Sequence, residues 1–195
     1  MIKGVNEAHF ELLNSELLGL ARSFSVNPNS CENSEFYSEY LRFTAMGDQI
    51  SGHNTTHLFI DDDTKQLMGF ISLRASSIIS EDDSKAFIGI PALEISMLAV
   101  DEKYERRGVG SALIDFAIAT ADELHKSFIG IQHIVLAADK LAVGFYKRMD
   151  FVPMEDRWKH IPKEQFSTSC VPMDLQLDYG METFEPFPDD EDDEE

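Results

Sequence analysis

The sequence predicts an α/β (α+β) fold, a single domain with one mixed central sheet flanked by helices, two of them N-terminal. Three observations carry this prediction. Two strand-like apolar runs flank the acidic turn "DDDTK", the mark of an antiparallel hairpin. Strand-like and helix-like segments then alternate, which brings parallel crossovers into the same sheet. A chain of 195 residues that is 43% apolar suffices for one well-buried core and shows no sign of a second.

Along the chain, "EAHFELLNSELLGLARSF" places Phe10, Leu13, Leu17, Leu20 and Phe24 at helical intervals, and "NSEFYSEYLRFTAMGDQI" does the same with Phe36, Tyr40, Leu41 and Phe43. These are the two predicted N-terminal helices. "THLFID" and "QLMGFISLRASSI" are the hairpin strands, and after the loop "SEDDSKAFIG" comes "PALEISMLAV", an apolar strand carrying one acid, Glu94. Over residues 108–126, Val109, Leu113, Phe116, Ala117 and Leu124 share one face of a helix. "IQHIVLAA" is a buried strand, "DKLAVGFYKRM" a helix, and "FVPM" and "VPMDLQLD" are short strands. The expected domain spans residues 1–179. From Gly180 the tail 180–195 carries nine acids, two of its prolines and no base, a composition expected to stay disordered and solvated.

Charge narrows the function classes. There are 36 acidic against 16 basic residues, a net charge of −20, which argues against nucleic acid as a partner because phosphate binding needs clustered Lys and Arg. The same charge is compatible with a cationic, amine-bearing partner, or with solubility alone. Cys31 and Cys170 fit neither a metal spacing nor a disulfide framework and are expected to be free thiols. No metal site is expected from the scattered histidines. No signal-like or membrane-spanning apolar segment occurs, so the expectation is a cytoplasmic protein with no membrane partner. The oligomeric state is not legible, and a homodimer is compatible.

The stretch "DEKYERRGVGS" opens the long helix with two glycines behind two arginines. Unpaired N–H groups and the helix dipole attract anions at such a place, although a bare tight turn with solvated arginines satisfies the same pattern.

Taken together, "LEISMLAV", the motif Glu105-Arg106-Arg107-Gly108-Val109-Gly110 and the run Asp139-Lys140-Leu141-Ala142-Val143-Gly144-Phe145-Tyr146 followed by Asp150-Phe151 resemble the GNAT family of acyl-CoA-dependent N-acetyltransferases. The resemblance covers residues 93–154. Three positions depart from the family pattern: Glu105 stands for Gln or Arg, Asp139 for Asn, and Asp150 for Gly. Asp150 can still take the left-handed turn.

The resemblance implies acetyl-CoA as co-substrate and an N-acetyltransferase activity toward a small-molecule or peptide amine. Its pyrophosphate would sit on Arg106, Arg107, Gly108, Val109, Gly110 and Ser111, with Asp139 and Tyr146 also at the cofactor. Leu98, Ala99 and Val100 would pair with the pantetheine arm as with an added strand, and the Leu98 N–H would stabilise the oxyanion. Tyr146 is the expected acid. Glu94 is the expected base, because it lies four residues before Leu98 on the same side of an extended strand and a buried acid there would have a raised pKa. Two alternatives stay open: an enzyme like the tRNA-acetylating toxins, and a catalytically degenerate acyl-CoA-binding or interaction module.

Overall fold

The computed structural model describes residues 2–81, 87–154 and 170–179. Seven strands form one sheet in the order β1-β2-β3-β4-β5-β7-β6. They are β1 (Ala8–Leu12), β2 (Thr55–Asp61), β3 (Leu67–Glu81), β4 (Phe87–Val100), β5 (His133–Asp139), β6 (Val152–Pro153) and β7 (Cys170–Gln176). All neighbours are antiparallel except β4 and β5, whose parallel pairing follows from the crossover through the long helix α3 (Val109–Ser127). The mixed α/β sheet is thus as expected. The acidic tail from residue 180 lies outside the described residues.

The expected first helix is instead strand β1 and a 3-10 segment, Leu17–Ser23. Phe10 decides this locally: its ring stacks between Phe59 and Phe116 at centroid distances of 4.3 and 4.2 Å, which requires an extended backbone beside β2. Asn14 then ends the strand, its Oδ1 accepting from the N–H groups of Glu16 and Leu17. Apolar residues at 10, 13 and 17 satisfy a helical spacing, yet a pattern that short also fits a strand followed by a turn.

The second N-terminal helix is present as α1 (Ser34–Glu39) and α2 (Ala45–Ile50), joined by a π-helical turn over Tyr40–Thr44. It buries Tyr40 and Leu41 but leaves Phe36 and Phe43 exposed. Helix α4 (Val143–Lys147) is shorter than the apolar pattern implied, because Asp139 still belongs to β5 and its Oδ1 accepts the Leu141 N–H in the turn that follows.

Two cores result. One lies under α3 and contains Met68, Ile71, Leu113, Ile114 and Ile134; the other lies under the N-terminal helices and contains Leu41, Leu58 and Phe70. The sheet between them positions the site through one irregularity. Strand β4 pairs with β5 only from Ala92 to Ile95, while its pairing with β3 continues to Val100.

Candidate active site

Where β4 and β5 part, a cleft of about 610 Å³ opens, a size suited to a small molecule or cofactor. Leu98, Ala99 and Val100 form one wall and Asp139, Ala142, Phe145 and Tyr146 the other. The Asp101 N–H donates to Met68 O on the β3 side. Strand alternation therefore turns the N–H groups of Leu98 and Val100 toward the open edge.

At one end of the cleft the chain turns sharply into α3. Arg106 and Gly108 both have positive φ, 57° and 99°. Gly108 is the N-cap of α3, whose first turn holds no acidic residue. Successive N–H groups in such a turn form a concave anion seat in front of the helix dipole. Gly110 sits in a tight contact: a Cβ there would lie 3.2 Å from Phe145 Cζ, so a side chain would push the Phe145 ring by a few tenths of an ångström.

Arg106, Gly108, Gly110 and Ser111 line the cleft, and so does Arg148, which the motif reading had not singled out. Two expected cofactor residues do not. The Arg107 guanidinium packs over the Tyr104 ring at 5.3 Å, and the Val109 side chain is buried in the core.

At the other end stands Tyr146, 7% exposed, with no hydrogen-bond partner for its hydroxyl among the described residues. Burial pushes this phenol well above its ordinary range, and neighbouring Tyr37, Cys31 and Asp139 add to the effect. The group therefore stays protonated. Burial likewise raises the Tyr37 phenol and pushes the Cys31 thiol up to about 11.

Glu94 is placed differently from expectation. Ser96 is an extra residue in β4: Ser72 pairs with Met97 and Leu73 with Ile95. This bulge reverses the alternation. Glu94 and Leu98 consequently face opposite sides of the sheet: Leu93 and Ile95, which flank Glu94, join the core under α3, and so does Leu98. Nor is Glu94 an isolated buried acid. It sits directly across from Arg74 and forms an ion pair with it, both side chains partly exposed, and it does not line the cleft. Both grounds for making it the base fail.

The carboxylates that do line the cleft, among the described residues, are Glu105 and Asp139. Glu105 accepts from Asn27 Nδ2 at 3.1 Å and from Ser30 Oγ. Asp139 Oδ2 accepts from the Glu32 N–H at 3.1 Å, Asn33 Nδ2 at 3.4 Å and Cys31 Sγ at 3.5 Å. Val26, Ser30, Cys31 and Tyr37, which sequence reasoning did not assign to a site, also line the cleft. The available signal was the Asn- and Ser-rich stretch "VNPNSCENS", a cluster of short polar side chains with no regular period.

Solved structures share this fold. A bacterial toxin matches with a TM-score of 0.68 at 21% identity, over 87% of this chain and 90% of its own. The toxin AtaT complexed with acetyl-methionyl-tRNAfMet matches with a TM-score of 0.65 at 16% identity, over 85% of this chain and 94% of its own. AtaTR bound with acetyl-CoA matches at 0.64 and 17%, over 87% and 93%. In sequence, a tRNA-acetylating toxin of Mycobacterium tuberculosis is 30% identical over 120 residues, 58% of this chain and 70% of its own.

These relatives overturn the expectation that nucleic acid is excluded as a partner. Net charge is a sum over the whole chain, whereas phosphate contact depends on the charge around one site. Residues 24–176 match the model of the acetyltransferase (GNAT) domain, well over half of the chain, and the protein belongs to the GNAT acetyltransferases, which use acetyl-CoA as co-substrate.

Proposed function

We propose that the protein transfers the acetyl group of acetyl-CoA to the α-amino group of an aminoacyl-tRNA. The observation that carries this reading is that, among the described residues, the cleft offers no free base. Both lining carboxylates, Glu105 and Asp139, are occupied by donors, and Glu94 is paired with Arg74 outside it. An α-amine, with a pKa of about 7.7–8.0, is about one-third neutral near pH 7.5, whereas a lysine amine at about 10.4 is neutral to about one part in a thousand. An acceptor of the first kind attacks without a strong base. Among the relatives are a tRNA-acetylating toxin and a toxin complexed with acetyl-methionyl-tRNAfMet, and an aminoacyl-tRNA presents such an α-amine.

In this reading the pyrophosphate rests on the turn at Arg106–Ser111, and the pantetheine arm pairs with the open edge of β4. The Leu98 N–H faces the thioester oxygen and stabilises the charge that develops as the nitrogen bonds to the carbonyl carbon. When the carbon–sulfur bond breaks, Tyr146 gives its proton to the leaving sulfur and recovers one from the acceptor nitrogen, so no lasting tyrosinate is formed in a site where burial disfavours it. Arg106 and Arg148 line the cleft, and Lys140 and Lys147 stand exposed beside it, a local basic collar on an acidic chain.

The test is thiol release from acetyl-CoA with charged tRNA, a peptide with a free N-terminus, and a polyamine as competing acceptors. Charged tRNA should be preferred, with acetyl recovered on the amino acid. Preference for the polyamine would restore the small-amine reading. Tight acetyl-CoA binding without turnover on any acceptor would leave only a binding module.

A further inference from the structure

The two acids that depart from the family pattern at the cleft, Glu105 and Asp139, do the same thing. Each holds one end of residues 27–33. Glu105 belongs to the turn below β4 and Asp139 to the end of β5, so the segment joined to both spans the gap between the splayed strands. The groups it presents to them are all donors: Asn27 Nδ2 and Ser30 Oγ to Glu105, then Cys31 Sγ, the Glu32 N–H and Asn33 Nδ2 to Asp139. A carboxylate accepts on both oxygens and has no donor of its own, whereas a Gln or Asn turns an NH₂ toward one of these donors. An acid at both positions accepts every one of these donors, and hydrogen bonds to a charged acceptor are the stronger kind.

We propose that Glu105 and Asp139 are positioning residues, two latches that hold residues 27–33 as a strap across the cleft so that Cys31 and Tyr37 shut water away from Tyr146 and the thioester. The proposal rests on the reading of the cleft as the acetyl-CoA site. It has a consequence that stability alone lacks. A loosened strap admits water, whose oxygen can bond to the thioester carbonyl carbon as the carbon–sulfur bond breaks, releasing acetate and CoA with no acceptor present. Glu105 also places a negative charge beside the phosphate seat, so removing it favours the cofactor even while it loosens the strap.

The experiment compares Glu105→Gln and Asp139→Asn with the wild type. In ligand-free protein, hydrogen exchange at the Glu32 amide should quicken about tenfold in Asp139→Asn, the worth of one charge-assisted hydrogen bond. With acetyl-CoA, both variants should lose about tenfold in kcat for transfer and gain in acceptor-independent thiol release. KM for acetyl-CoA should fall in Glu105→Gln and stay level in Asp139→Asn. Where Glu105→Gln fails to fold by circular dichroism, Asn27→Ala with Ser30→Ala removes the same bonds from the strap side, and where Asp139→Asn fails, Cys31→Ala with Asn33→Ala removes two of its three; each should raise acceptor-independent release alike. Unchanged exchange at Glu32 in folded Asp139→Asn overturns the latch, and unchanged hydrolysis with quickened exchange overturns its role in excluding water. Wild-type protein that fails to bind acetyl-CoA in calorimetry overturns the reading of the cleft instead, and exchange then decides the latch by itself.

Discussion

The two halves of β4 are built from similar residues and do different work. From Ala92 to Ile95 the strand is paired on both sides, and its one acid is held across the ladder by Arg74. Beyond the bulge at Ser96 it keeps β3 but loses β5, so apolar Leu98 and Val100 offer backbone N–H groups to the cleft. The charged side chain belongs to the fully paired half and the plain apolar residues to the half that lines the cleft. In this fold, an unpaired backbone edge is a better guide to the site than side-chain chemistry.

The sharpest way to break that contrast lies at the anion seat below the open half. Gly108→Trp should abolish acetyl-CoA binding in calorimetry while the protein stays folded, because the bulk falls into the cleft and the strain at one positive-φ position is about 1–2 kcal/mol. Unchanged affinity would move the cofactor elsewhere.

Next in size, Tyr146→Phe should lower kcat by about 10²-fold or more, with acetyl-CoA affinity little altered, as loss of a proton donor requires. Because the phenol is held above its ordinary value of about 10, it keeps its proton through that pH, and the wild-type rate should show no alkaline fall from its ionisation up to there. A fall that disappears in Tyr146→Phe would mean the phenol is wetter than its burial implies.

On the strap side of the cleft, Cys31 with its thiol at about 11 carries about a hundredfold less thiolate at pH 8 than a thiol at an unshifted 9.0. Alkylation of Cys31 should be slower in proportion and should quicken as pH rises toward that value. The linkage has the same sign. A pKa raised by folding stabilises the native state below about pH 9, and that contribution is lost as pH climbs through about 11. Labelling at the rate of an exposed thiol would show that the strap does not cover the cleft.

The smallest effect is expected in the paired half. Glu94→Gln should leave the pH profile of kcat/KM unchanged and cost about 0.2–1 kcal/mol of stability at most, the range for a partly exposed cross-strand ion pair, read from urea unfolding. Disappearance of an acidic limb in that profile would return Glu94 to the chemistry and erase the distinction between the halves.

By itself the sequence determined the parts that depend on neighbours in the chain. Hydrophobic period placed β2 to β5 and α3, since each such element advertises the face it buries. The glycine turn was legible because the positive φ at 108 favours glycine and the contact at 110 is tight, and Asp150 does take the left-handed conformation expected of it, with φ 64°. Tertiary structure decided what no local period encodes. Phe10 became part of a strand because its stacking partners, Phe59 and Phe116, lie far along the chain. Glu94 and Leu98 parted to opposite faces because one inserted residue changes parity, and the register that reveals it belongs to the pair β3 and β4. The strap was illegible for the same reason: five short polar groups have no period of their own, and only folding brings Glu105 and Asp139 to opposite ends of them.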